Sequence, residues 1–70
     1  MNAKYIEGLE KMKTVARKLD LEGLVEAVLL IGGSVDVTQE QRLTRAILID
    51  VYEERTSEED ADLLMGLIGL

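Results

Sequence analysis

Residues 38–55 read Thr-Gln-Glu-Gln-Arg-Leu-Thr-Arg-Ala-Ile-Leu-Ile-Asp-Val-Tyr-Glu-Glu-Arg. The centre, Ala46 to Tyr52, is a strand by β-propensity alone. The flanks argue for a helix. Thr38, with Gln41 three residues on, fits a capping box, in which each side chain accepts the other residue's backbone N–H. Glu40, Gln41, Arg42, Arg45, Glu53 and Glu54 are good helix formers at the two ends of the apolar run. We therefore read Gln39 to Arg55 as one helix, and with it the chain as all-α.

At roughly 100° per residue, Leu43, Ile47, Leu48, Ile49, Val51 and Tyr52 spread over an arc of roughly 240°. An ordinary surface helix carries an apolar stripe that starts near 100°. An arc this wide implies contact on two sides. Leu43, Ile47 and Val51 are assigned to the chain's own core, and Leu48, Ile49 and Tyr52 to a second chain. The competing arrangement is a central helix surrounded by the other helices of a single monomer. Gln39, Arg42, Ala46, Asp50 and Glu53 form the polar remainder.

Working outward, Tyr5, Leu9, Met12, Ala16 and Leu19 recur at heptad spacing and predict a first helix over Asn2 to Lys18, with Asn2 as its cap. Five seam positions are too few for an independent coiled coil, so this face must lie on other helices. Asp20 is a cap for a second helix, Leu21 to Ile31, with Glu22 and Glu26 one turn apart on its exposed face. Its nearly continuous apolar run also suits a buried strand. Gly32 and Gly33 end that element, and Val35 to Val37 read as extended. Ser57, followed by Glu58, Glu59 and Asp60, caps a fourth helix whose dipole favours the three acids. The chain then runs apolar from Leu63 to Leu70. The expected fold is a single helical domain over residues 1–70, a bundle of three to four short helices completed by homodimerisation. Leu48, Ile49 and Tyr52, with Leu64, Leu67 and Ile68 of the last helix, are the expected self-association or partner surface.

Composition narrows the function. The 70 residues include no Cys and no His, which removes disulfides, thiolate metal sites and nucleophilic catalysis by a Cys–His or Ser–His pair. The acids at Glu58 to Asp62 lack the spacing of a calcium loop, and no glycine pattern fits a phosphate loop. No catalytic residue, metal or cofactor is expected. Net charge is −6, which opposes nucleic-acid binding. It is unevenly spread: residues 1–20 carry +2 and residues 21–70 carry −8. No apolar run approaches the roughly 18 residues that span a bilayer, and the default is a soluble cytoplasmic protein.

The expected function is that of a small acidic, non-enzymatic interaction module. It would regulate or inhibit a host or partner protein by occluding a surface, and would also pair with itself. Small regulators carried by phage and other mobile elements offer an analogy in size and acidity. The alternatives are a structural subunit of a larger assembly and a small DNA-binding transcriptional regulator. The latter would use Arg42 and Arg45 early in the third helix, although the connection from Gly32 to Val37 is long for a helix-turn-helix.

Overall fold

Three of the four described helices start where capping chemistry places them. The computed structural model describes residues 3–34 and 36–70, with side chains from residue 7 onward. The helices are α1 (Ala3–Arg17), α2 (Leu21–Ile31), α3 (Gln39–Arg55) and α4 (Glu58–Leu67), and there is no strand among the described residues. The Asp20 carboxylate accepts the Gly23 N–H at 2.7 Å, and Ser57 Oγ accepts the Asp60 N–H at 3.1 Å. Thr38 and Gln41 close the reciprocal box at 3.1 and 2.9 Å. Each cap satisfies an N–H that the helix itself cannot, and a missing cap costs about 1 kcal/mol. Ala46 to Tyr52 is helical throughout. Asn2, the expected cap of the first helix, lies outside the described residues. Asp36 and Val37 differ from the extended reading: their N–H groups turn back onto Ser34, onto its hydroxyl and its carbonyl respectively. Val35 lies outside the described residues.

α3 is the central element, and α1, α2 and α4 each pack on it. Arg17 at the end of α1 meets Glu54 at the end of α3, so these two helices run in the same direction. α2 starts beside Arg55 and ends beside Arg45, so it runs back along α3. The buried core is Ala16 of α1, Leu24 and Val28 of α2, Ile47, Leu48, Ile49 and Val51 of α3, and Ala61 and Leu64 of α4. No polar or charged residue is buried among the described residues. The molecule measures 33 × 28 × 18 Å. Each outer helix keeps a face in solvent, where Val15 of α1, Leu30 of α2 and Leu67 of α4 are exposed.

Two arginines of α3 hold the connection between the helices. The Arg45 guanidinium donates to the Gly32 carbonyl at 2.6 Å, and that of Arg55 donates to the Leu19 carbonyl. Gly32 caps α2 with φ of 69°, a left-handed conformation that costs glycine nothing, and its N–H reaches the Val28 carbonyl at 2.8 Å. Gly33 serves a different need. A Cβ there would sit 1.9 Å from the Ile68 carbonyl oxygen, so only glycine lets the ends of α2 and α4 meet.

Candidate interaction surface

Most of the wide apolar arc of α3 is covered inside the chain, although Ile47 and Leu48 also form part of the wall of an open groove. Leu48 and Ile49 do not face outward; they are buried with Ile47 and Val51, because α3 has a helix on each of several sides. Tyr52 is half-buried against the same core. In α4, Leu64 is buried and Ile68 is half-buried, while Leu67 is 72% exposed. Of the six residues expected at a self-association or partner surface, Leu67 is the one that stands in solvent.

The exposed apolar residues lie elsewhere, in three places. On α4, Leu63 is 66% exposed and lies one turn before Leu67; beyond the helix end, Leu70 is 56% exposed, its N–H turned back onto the Met65 carbonyl. Ala61 and Leu64 face the core, so the opposite side of α4 presents Leu63 and Leu67 with Glu59 and Asp62 beside them. Gly66 lies on that side too, with open space where a Cβ would be. On α2, the face away from Leu24 and Val28 carries Glu22, Glu26, Leu29 and Leu30, and Leu30 is 88% exposed. Between α1 and α3 runs an open groove of about 280 Å³. Met12, Val15, Ala16, Leu19, Ile47 and Leu48 line it, with Lys11 and Thr44 as its polar members. Gly8, one turn earlier on α1, leaves open space beside it.

Charge divides these surfaces. The groove has Lys11 in its wall, and Lys18 follows seven residues later in the exposed turn after α1. The outward faces of α2 and α4 are acidic. On the far side of α1, the Arg17 guanidinium donates to both Glu54 carboxylate oxygens, at 3.3 and 3.2 Å. That hydrogen bond is the main cause that lowers the Glu54 carboxyl below its ordinary range and raises Arg17 further above its own. Arg45 and Arg55 are engaged with carbonyls of their own chain, and Asp50 is exposed near Lys13, Glu53 and Glu54. Among the described residues, no three acids come together in a way that could hold a metal ion, and no helix is long and apolar enough to cross a membrane.

Sequence reasoning missed Val15, Leu19, Leu29 and Leu30 as surface residues; Leu63 and Leu70 bound the apolar C-terminal stretch from which it drew Leu64, Leu67 and Ile68. A signal was present for Leu29 and Leu30, which continue the helical stripe begun by Glu22 and Glu26. No protein-family model matches the chain, and no curated protein or solved structure shows significant similarity to it.

Proposed function

We propose that this chain is a small acidic protein-interaction module, without an enzymatic role, that regulates or inhibits a partner protein by docking on it and occluding its surface. The observation that carries this reading is Leu30. Among the described residues it is the most exposed large apolar side chain, standing at 88% on a helix whose opposite face is locked in the core. Leu29 sits beside it and Glu26 and Glu22 lie one and two turns before it, so the face combines apolar anchors with an acidic rim. Anchors of this kind, set in polar surroundings, dominate the energy of many protein interfaces. The acidic rim would steer the module to a basic surface and speed encounter.

The test is capture from nuclease-treated lysate with tagged wild-type protein and with the Leu29→Asp/Leu30→Asp variant. Wild type is expected to retain one partner in stoichiometric amount, and the variant to lose it while keeping its helical circular dichroism and melting temperature. Equal capture by both forms would remove α2 as the docking face. A second reading, a subunit of a larger assembly, is favoured by the presence of apolar surface on more than one side of the molecule.

A further inference from the structure

We infer that the outward face of α4 is built to seat in the α1–α3 groove of a second copy of this chain. Three observations carry the inference. The first is exposed apolar surface: Leu63 and Leu67 on α4 are 66% and 72% exposed, and Val15 in the groove wall is 61% exposed. The second is shape. Leu63 and Leu67, one turn apart, form a short ridge on one face of α4, and the groove is an open apolar channel between two helices that run in the same direction. Gly66 on the ridge and Gly8 beside the groove leave room for close approach of the two backbones.

The third is charge, which selects the pairing. Two α4 faces brought together would set Glu59 and Asp62 against their own copies, and two grooves would set Lys11 and Lys18 against theirs. Ridge on groove places Glu59 and Asp62 of one copy near Lys11 and Lys18 of the other. The contact therefore joins two different faces. Used reciprocally it closes a pair; used in one direction it extends a chain of copies. It leaves Leu29 and Leu30 free, so a second copy and a partner protein occupy different surfaces.

Charge reversal tests this in the full chain by sedimentation equilibrium over a wide concentration range. Circular dichroism would check that each variant folds. Wild type is expected to self-associate, and less so in high salt. Lys11→Glu/Lys18→Glu and Glu59→Lys/Asp62→Lys should each weaken association by more than roughly tenfold, because each brings like charges face to face. Mixing the two variants should restore it, since each then offers the face that the other lacks. Leu67→Asp, at a solvent-facing position, should abolish association without altering the fold. Wild type that remains monomeric at millimolar concentration would overturn the inference. So would a mixture that fails to recover, or association governed by Glu22 and Glu26 in place of Glu59 and Asp62. Partner capture through Leu30 by a strictly monomeric protein would leave the interaction-module reading standing and this one refuted.

Discussion

α3 and α4 are both apolar over more of their surface than one packing face requires, yet the chain treats them differently. α3 lies between the other helices, so Ile47, Leu48, Ile49 and Val51 are all buried within one molecule. α4 packs against α3 on one side, through Ala61 and Leu64, and leaves Leu63 and Leu67 in solvent on the other. The number of apolar residues on a helix sets how much surface must be covered. The position of the helix among its neighbours sets whether the same chain covers it. In this molecule the uncovered apolar surface lies on the outer helices and not on the middle one.

The comparison can be broken at its strongest point by truncating a leucine in each helix. Leu48→Ala should cost about 2–5 kcal/mol by chemical denaturation, a cavity in a core whose net stability is itself expected near 3–5 kcal/mol. Much of that protein should be unfolded at room temperature. Leu67→Ala, measured below any association concentration, should stay within about 0.5 kcal/mol of wild type. Equal losses at the two positions would mean that α4 is more enclosed than its exposure indicates.

Gly33→Ala probes where the two regions meet. Its Cβ would land on the backbone carbonyl of Ile68, which cannot move aside as a side chain can. The ends of α2 and α4 must part, at an expected cost of about 1–3 kcal/mol. Gly66→Ala, in open space on α4, should be neutral or slightly stabilising, since alanine is the better helix former. Thr38→Ala removes the cap that starts α3 and should lower stability by about 1 kcal/mol, with hydrogen exchange rising first at residues 39–42.

The smallest effect belongs to the surface pair between α1 and α3. Arg17 lowers the pKa of Glu54, so the pair's contribution to stability is present above the ordinary carboxylate range and is lost as pH falls through the lowered value. Melting curves of wild type and Arg17→Ala should differ slightly at neutral pH and converge in acid. Both side chains are about half exposed, so water and salt screen the interaction. A gap that persists at low pH would show that Arg17 acts through packing of its aliphatic stem.

Most element boundaries were legible in the residues. α2 and α3 begin and end where Asp20, Gly32, Thr38 and Arg55 place them, because capping is a local interaction between residues close in sequence. The helical state of Ala46 to Tyr52 was legible from its flanks, although its own propensity pointed to a strand. The surface was less so. Leu48 and Leu67 look alike as letters, and their fates diverge because one faces several helices and the other faces water. Gly33 read as part of a turn, while its need for glycine comes from Ile68, thirty-five residues away.

Taken alone, the sequence determined that this is an all-α chain with a mildly basic start, an acidic remainder and more apolar surface than a small core needs. Those properties follow from residue type, local capping and periodicity, which act over a turn or two of helix. Only the tertiary structure decided that most of α3 is enclosed, that α2 and α4 turn leucines outward, and that α1 and α3 leave an apolar groove with Lys11 in its wall. Burial is a property of contacts between residues distant in the chain. With three helices packed on a fourth, each outer helix turns one face to the core and leaves the other uncovered.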